Sequence, residues 1–419
     1  MRRLRSVFAA VTAVLTVAAA GACAGPTDDT AGAGGKVTLT YWDFIDPSQD
    51  NARSKALKEN IDAFQVDNPD IAVKLEVVSY GDMLSRLPQA SAAGQGPDIV
   101  KMYTPNVPQL VDAKVYQPLP DAYKEVTDWL RPIDQLVDGD GKQVAVPYEY
   151  RTCSLVYNKK LLAAAGANSA PKTWDEVVQV AGKVAKNGSI GFGTGFSEAD
   201  NSAIMAELFD CFMSELKVPV EDPAAAFASP GAQEYAQFFA DLKAAGGLSK
   251  SVVADQYSTV TDGLSNGRVA MAVIGTHRIQ SVQKVNPDVD WAPLPAAKNG
   301  SNTSATFGWT LGVGSSSKNA DAAWKFINYM TGPVAQTRMA SGGEVPARAA
   351  TYDDPFFKTD AAKAVLAIRE YVEKDSEPHA YPQNWLKVAG GLSSAGQQLY
   401  LKGATADQMV QTAKAAATS

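Results

Sequence analysis

The feature that most constrains the fold is an alternation of strand and helix patterns in the first third of the chain. Apolar and polar residues alternate over 37–42, and apolar residues then recur at helical spacing over 52–66 until Asn68-Pro69-Asp70. The same reasoning predicts strand, helix, strand and helix in turn over 71–78, 80–93, 97–102 and 106–113. This order predicts a parallel sheet wrapped by helices.

A second α/β pattern begins after Gly141. Thr173 is a candidate N-cap, because Glu176 follows it three residues later and an apolar helical pattern comes next. From residue 354 to the end the pattern is helical, with no strand candidate. The chain therefore predicts two α/β lobes. The remaining predicted strands are 144–147, 152–157, 190–193, 269–274 and 306–313, and the remaining predicted helices are 159–165, 202–213, 232–245 and 321–330.

The N-terminus predicts export. Arg2, Arg3 and Arg5 precede an apolar run over 7–20, which is too short to span a membrane comfortably. The run ends at Ala20-Gly21-Ala22-Cys23, which resembles a lipobox with Ala20 where Leu is usual. We therefore predict a lipoprotein signal peptide over 1–22, lipidation of Cys23 and a flexible tether over 23–35. Plain secretion is the alternative that Ala20 leaves open.

Composition excludes several classes of function. The formal net charge is −7, and loss of the three arginines with the signal makes the rest more acidic, so a nucleic-acid partner is not expected. The two histidines, His277 and His379, have no ligand-type neighbours at helical spacing, and no phosphate loop, nucleophile elbow or CxxC motif occurs. We expect no metal and no cofactor.

The two cysteines beyond Cys23 leave two possibilities open. Cys153 and Cys211 can form a disulfide, since an exported chain meets oxidising conditions. They can equally be two small buried apolar side chains.

Five sequence blocks, in this order, carry a resemblance to a known family. They begin at Phe64, Ala92, Val146, Gly267 and Ala322, and include Asn68-Pro69-Asp70-Ile71, Pro97-Asp98-Ile99-Val100, Leu155-Val156-Tyr157-Asn158-Lys159 with Pro171-x-Thr173-Trp174-Asp175-Glu176, Gly267-x-Val269-Ala270-Met271, and Ala322-Ala323-Trp324-Lys325-Phe326-Ile327. Together they resemble the extracellular solute-binding proteins of carbohydrate-type ABC importers, the family that contains maltose-binding protein. The resemblance covers nearly all of the chain after the signal.

The resemblance implies a periplasmic-binding-protein-like fold of type II with two discontinuous lobes. Lobe one would comprise 36–148 and 303–349, and lobe two 149–302 and 350–419. The ligand would lie in the cleft between them, which agrees with the preference of pockets for domain interfaces. The implied protein is a monomer on the extracellular face of the membrane that closes around a small molecule and passes it to the permease subunits of the importer.

A saccharide site needs flat aromatic faces and groups that exchange hydrogen bonds with hydroxyls. Residues of these types follow predicted strand ends, lie at the predicted crossings between lobes, or match family positions near the ligand. Trp309 is the strongest stacking candidate, and Gly308 before it permits close backbone approach. The full set of candidates is Asp43, Phe44, Tyr80, Tyr103, Asn106, Glu149, Arg151, His277, Gly308, Trp309, Glu344, Arg348 and Trp385.

Two of these candidates bear on ligand chemistry. Arg151 stands where the resemblance places a sugar-binding carboxylate of maltose-binding protein, which argues against a maltose-like ligand, although Arg151 could instead pair with Glu149. His277 stands where the family often has a stacking Trp.

The leading hypothesis is a lipid-anchored binding protein for a saccharide. The alternative within the binding class is a phosphorylated polyol, suggested by Arg151, Arg278 and Arg348, because guanidinium groups suit phosphate oxygens. A remote alternative is an exported glycoside-acting enzyme, which would need paired carboxylates in the cleft.

Overall fold

A computed structural model describes residues 36–199, 203–298, 300 and 302–419. The predicted signal peptide, the lipidation site at Cys23 and the tether over 23–35 lie outside the described residues. No helix within the described part of the chain is long and apolar enough to cross a membrane.

Eleven strands form two sheets among the described residues. Their bounds are β1 Val37–Asp43, β2 Ile71–Val77, β3 Ile99–Tyr103, β4 Ala145–Arg151, β5 Cys153–Asn158, β6 Ile190–Gly193, β7 Val269–Gly275, β8 Val289–Ala292, β9 Ser304–Val313, β10 Val345–Pro346 and β11 Ser376–Pro378.

Fifteen α-helices cover these sheets in the described part of the chain. They are α1 Ala52–Asp67, α2 Tyr80–Ala92, α3 Val107–Asp112, α4 Lys159–Ala164, α5 Trp174–Lys186, α6 Ala203–Glu215, α7 Pro223–Ala228, α8 Pro230–Ala244, α9 Tyr257–Ser265, α10 Ile279–Val285, α11 Ala320–Thr331, α12 Pro333–Ala340, α13 Lys363–Asp375, α14 Trp385–Lys402 and α15 Ala406–Ala417.

The first sheet has the strand order β10-β4-β9-β3-β1-β2, with β11 paired to β9 outside that path. The strands β1, β2 and β3 are parallel, but β9 runs antiparallel to both β3 and β4. The predicted parallel arrangement of the three strands in the first third of the chain is therefore confirmed. The sheet as a whole is mixed, because β9 enters from the second sheet and runs in the opposite direction. The expectation of no strand after residue 354 is wrong, since β11 pairs with the start of β9.

The first sheet is buried on both faces. Tyr41 is fully buried and packs in one hydrophobic cluster with Phe64 and Phe326. Its neighbour Trp42 points to the opposite face and packs in another cluster with Met83. Trp42 is thus part of the core. Side chains on alternating faces of β1 thus join the helices on either side to one sheet.

The second sheet has the order β6-β7-β5-β8. Its helix α5 begins where the sequence predicts, because the Thr173 hydroxyl accepts a hydrogen bond from the backbone N–H of Glu176 at 3.2 Å. A disulfide joins Cys153 at the start of β5 to Cys211 on α6, so the structure contains the first of the two alternatives for these cysteines.

The chain passes from the first sheet to the second at Thr152, between β4 and β5. It returns between the end of β8 at Ala292 and the start of β9 at Ser304. Glu149 and Arg151 therefore belong to a strand of the first sheet, beyond the predicted boundary at residue 148. The ends of β3 and β4 next to these passages face the helices of the second sheet, and this is where the candidate site lies.

Candidate functional site

A cavity of about 210 Å³ lies between elements of the two sheets. The first sheet and its helices contribute residues from the ends of strands and the starts of helices. The second sheet contributes residues from α6, α9 and the segment after β7. The described residues that line the cavity are Phe44, Arg53, Tyr80, Tyr103, Arg151, Ala203, Glu207, Tyr257, His277, Arg278 and Trp309.

One wall of the cavity is aromatic. Trp309 lies in β9 directly opposite Tyr103, the last residue of β3, so the sheet register brings the two rings together. The Trp309 ring centroid is 4.4 Å from that of Phe44, 5.6 Å from that of Tyr80 and 5.8 Å from that of Tyr103. These four rings offer the flat apolar faces on which the C–H face of a small ring can pack.

A buried ion pair lies behind this wall. The Lys101 ammonium is 2.9 Å from an Asp43 carboxylate oxygen, and both side chains are fully buried. The Tyr41 hydroxyl donates to the same carboxylate at 2.5 Å. Burial lowers the pKa of Lys101, and the attraction of Asp43 opposes that shift. The pair holds β1 and β3 together beneath the rings.

Two further ion pairs neutralise the arginines of the wall. Arg53 at the start of α1 pairs with Glu344, and the Arg151 Nε is 2.5 Å from a Glu149 carboxylate oxygen. Burial raises the pKa of Glu344, while Arg53 acts in the opposite direction. Each of these guanidinium groups therefore has its own carboxylate, and the first-sheet side of the cavity carries little net charge.

The facing wall presents a carboxyl group. Glu207 on α6 accepts a hydrogen bond from the Tyr103 hydroxyl at 3.2 Å and from the Tyr257 hydroxyl at 3.0 Å. Burial raises the pKa of Glu207 to about 7, and these two hydrogen bonds, together with Arg151 and Arg278, partly offset the shift.

An imidazole and an exposed arginine complete that wall. Burial lowers the pKa of His277 well below its usual value, and the nearby positive charges of Arg151 and Arg278 add to the effect, so His277 is neutral at pH 7. The exposed Arg278 places its guanidinium 5.8 Å from the Tyr257 ring centroid. The cavity can therefore offer a neutral ring, a cation and a carboxyl on one side and aromatic faces on the other.

The structure brings six predicted site residues into this cavity. They are Phe44, Tyr80, Tyr103, Arg151, His277 and Trp309. Two more, Asn106 and Trp385, line an adjoining cavity of about 20 Å³ that shares Tyr80, Tyr103 and Glu207 with the first. The Tyr80 hydroxyl donates to the Asn106 amide oxygen at 2.6 Å.

Three predicted carboxylates lie behind the wall. Asp43, Glu149 and Glu344 are each buried against a cation, as described above, and none is among the described lining residues. These three side chains lie behind the wall because a residue next to a strand end can point into the sheet's own core as easily as into the cleft.

Two other predicted contacts are also displaced from the cavity wall. A side chain at Gly308 would place its Cβ 2.0 Å from the Glu149 carbonyl oxygen, so Gly308 permits β4 and β9 to pair. Arg348 donates to Asp128 at 2.8 Å and lies over the Trp129 ring, which takes it away from the described lining of the cavity.

Sequence reasoning missed Arg53, Ala203, Glu207 and Tyr257 as lining residues. All four lie on helices, whereas the sequence argument searched the residues after strands. No local sequence pattern shows which face of α6 or α9 meets the cleft. Arg53 is different, because it follows the Asn51 N-cap of α1 and could have been found as a charged residue at a helix start.

Two α/β sheets with a cavity between them define the class of two-lobed binding proteins that close on small molecules. Residues 59–365 match the model of the bacterial extracellular solute-binding protein family, which is more than half of the chain. The chain belongs to this family.

Relatives and solved structures agree with that assignment. A binding protein of Brucella abortus is 23% identical over 363 residues, covering 85% of this chain and 87% of the relative. A maltotriose-binding protein of Pyrococcus abyssi is 26% identical over 309 residues, covering 70% and 63%. The maltose-bound MalE3 structure of T. maritima has a TM-score of 0.76 at 22% identity, covering 91% of this chain and 99% of that one. The predicted two-lobed fold is confirmed.

Proposed function

We propose that this protein is the substrate-binding component of an ABC importer and that it binds a neutral saccharide in the cavity between its two lobes. The observation that carries the proposal is the arrangement of that cavity, with a wall of four aromatic rings facing the Glu207 carboxyl. A sugar ring would pack its C–H face on Trp309 and Phe44, and its hydroxyls would donate hydrogen bonds to the opposite wall. The relatives whose names include maltotriose and maltose support the same ligand class. Arg151 is paired with Glu149, the alternative that leaves a maltose-like ligand open.

Delivery to a permease would follow from closure of the lobes. Tyr103 and Glu207 belong to opposite sides of the cleft and already meet through a hydrogen bond. A bound ligand adds contacts to both sides and therefore binds the closed form more tightly than the open form. That difference in binding free energy is the amount by which the ligand favours closure. We propose the passages at Thr152 and between Ala292 and Ser304 as the hinges between the two lobes.

The charge of the cavity favours a neutral ligand over a phosphorylated one. Arg53 and Arg151 are each paired with a carboxylate, and Glu207 would repel a phosphate. Arg278 remains as a cation on the rim, and Arg348 is engaged elsewhere. The phosphorylated polyol is therefore the weaker alternative.

Binding without catalysis is part of the proposal. Glycoside hydrolysis needs two carboxyl groups about 5–9 Å apart across the scissile bond. Among the described residues that line the cavity, Glu207 is the single carboxyl group, and the three predicted carboxylates are engaged in ion pairs behind the wall.

Anchoring is also proposed. Lipidation of Cys23 would hold a monomer at the outer face of the membrane on the tether over 23–35. Cys23→Ala should move the protein from the membrane fraction into the medium. Unchanged membrane association of that variant would count against the anchor without affecting the binding function.

A thermal-shift screen of the purified protein tests the ligand class. The probes are glucose, maltose and maltotriose, with glucose 6-phosphate and glycerol 3-phosphate as anionic counterparts. A neutral sugar present at a hundred times its dissociation constant should stabilise the folded protein by about 2.7 kcal/mol. A shift with the phosphorylated probes alone would contradict the proposal and favour the alternative.

A further inference from the structure

Glu207 occupies the point where the two sides of the cleft meet. Its carboxyl lines both the cavity of about 210 Å³ and the adjoining one of about 20 Å³. One oxygen accepts from Tyr103 across the cleft, and the other accepts from Tyr257 on the same side. The residue is half-buried and lines both cavities.

The position of Glu207 is held from behind. The disulfide at Cys211, one turn further along α6, ties this helix to the start of β5 next to the passage between the sheets. The Tyr257 hydroxyl that donates to Glu207 also accepts from the backbone N–H of Gly275 at 2.8 Å. Helix and tyrosine are therefore both fixed, and the carboxyl is presented at a defined place.

Charged and titratable groups approach Glu207 from each neighbouring element. Arg151 of β4 and Arg278 after β7 act on it as cations, and the two tyrosines act as donors. On its own helix, Asp210 lies one turn away and accepts hydrogen bonds from His379 at 2.7 Å and Tyr381 at 2.8 Å. Both carboxyl groups accept two hydrogen bonds, but Glu207, unlike Asp210, is among the described residues that line the cavity of about 210 Å³.

We propose that Glu207 is a specificity-determining ligand contact, whose carboxylate accepts a hydroxyl of the bound ligand while it holds Tyr103 across the cleft. An ionised carboxyl only accepts hydrogen bonds, so it selects a ligand that donates at this position. A phosphate or carboxylate at the same place would meet a like charge. The inference rests on the proposed binding of a neutral saccharide and adds the residue that enforces neutrality.

The proposal has a pH signature. A hydroxyl donor stabilises the ionised form of the carboxyl, so ligand binding should lower the pKa of Glu207 from its value of about 7 in the free protein. Binding near pH 7 should then release protons, and affinity should be higher at pH 8 than at pH 6. A side chain with a purely structural role would produce neither effect.

Isothermal titration calorimetry tests this with the neutral sugar that gives the largest thermal shift among glucose, maltose and maltotriose. Titrations at pH 6, pH 7 and pH 8, each in two buffers of different ionisation enthalpy, report affinity and proton release together. The wild-type protein should bind more tightly at pH 8 and release protons at pH 7. Glu207→Gln should bind about tenfold or more weakly at pH 8 and lose the pH dependence.

Two further variants serve as controls for the role of Glu207. Glu215→Gln makes the same change on the same helix at a buried carboxyl that bonds Trp174 and Ala297 instead of the cavity, so its affinity and pH profile should match the wild type. Tyr103→Phe removes the donor across the cleft, and it should weaken binding several-fold while proton release persists.

The possible failures are distinguishable. Wild-type binding without proton release, or Glu207→Gln binding like the wild type at both pH values, would overturn the role of Glu207 and leave the proposed function standing. No binding of any neutral sugar by the wild-type protein would overturn the proposed function and this inference with it.

Discussion

Two cavities of similar size differ in how the molecule builds them. The larger, about 300 Å³, is a groove whose described lining lies between residues 174 and 298 and includes Trp174, Asp175 and Lys298. The smaller cleft of about 210 Å³ takes residues from both sheets. Volume alone would select the groove. The cleft is the better candidate site, because a ligand that contacts both sheets can couple its binding to the proposed closure of the lobes.

The two cavities also differ in how their charges are held. Behind the cleft, Lys101 and Asp43 are fully buried and paired at 2.9 Å. At the groove, Lys298 and Asp175 are 4.0 Å apart with most of both side chains exposed. The charges behind the cleft wall are therefore buried and paired, whereas those at the groove are solvated.

The largest expected effect comes from breaking the buried pair. Lys101→Met should lower the free energy of unfolding by about 3–5 kcal/mol, because it leaves Asp43 buried without its cation. Lys298→Met, the matched change at the groove, should cost under about 1 kcal/mol. Urea denaturation measures both. Similar losses of unfolding free energy for the two variants would show that the buried pair behind the cleft contributes no more to stability than the solvated pair at the groove.

The next effect concerns pH. Burial raises the pKa of Glu215, beneath Trp174 of the groove, to about 8 and that of Glu207 to about 7, both above the ordinary value of about 4.5. The folded state therefore holds these protons more tightly than the unfolded state does, and their contribution to stability is lost as pH rises from about 4.5 to about 8.

Glu215→Gln should flatten that decline, since a neutral amide does not titrate. Urea midpoints at pH 5, 6, 7 and 8 for the wild type and the variant make the comparison. An identical slope in both would show that burial does not hold a proton on Glu215.

A smaller effect is expected where the backbone of the cleft wall is tightest. Gly308→Ala would place a Cβ 2.0 Å from the Glu149 carbonyl oxygen, and it should cost about 1–3 kcal/mol of stability. Gly231→Ala, near the groove, meets the flexible end of Leu216 at 2.9 Å and should cost less. Equal unfolding energies for the two variants would mean that the strand pairing at Gly308 adapts freely.

The smallest expected effect is on ligand affinity. Phe44→Leu keeps apolar volume but removes a flat face next to Trp309, so affinity for the bound sugar should fall roughly 2- to 12-fold, about 0.5–1.5 kcal/mol. Phe356→Leu is the matched change at a half-buried ring elsewhere, and Gln237→Ala alters the groove. Calorimetry should find both controls at wild-type affinity. A loss with Gln237→Ala and none with Phe44→Leu would move the site to the groove.

Local patterns predicted most elements of the fold, because capping and hydrophobic periodicity act within a few residues. The start of α5 at Thr173 and the strand β6 are examples. The direction of β9 was not predictable in this way, since it depends on where the chain returns from the second sheet. The strand β11 is three residues long, too short to show an alternation, and forms because β9 offers it a partner.

The residues of the candidate site likewise fall into those that local patterns could predict and those that depend on the tertiary fold. The position of Phe44, Tyr103 and Trp309 at the cavity could be predicted, because ligands of open α/β sheets generally bind beyond the strand ends. Glu207 and Tyr257 could not, because their helices show no mark of the face that meets the cleft. Asp43 and Glu344 were misplaced for the complementary reason: their cations, Lys101 and Arg53, come from distant parts of the chain.

The most direct test of the central claim is a crystal structure of the protein with the neutral sugar that gives the largest thermal shift. We predict that the sugar lies in the cleft, packed on Trp309 and Phe44, with a hydroxyl within hydrogen-bonding distance of Glu207. A sugar bound instead in the groove beside Trp174 would contradict it.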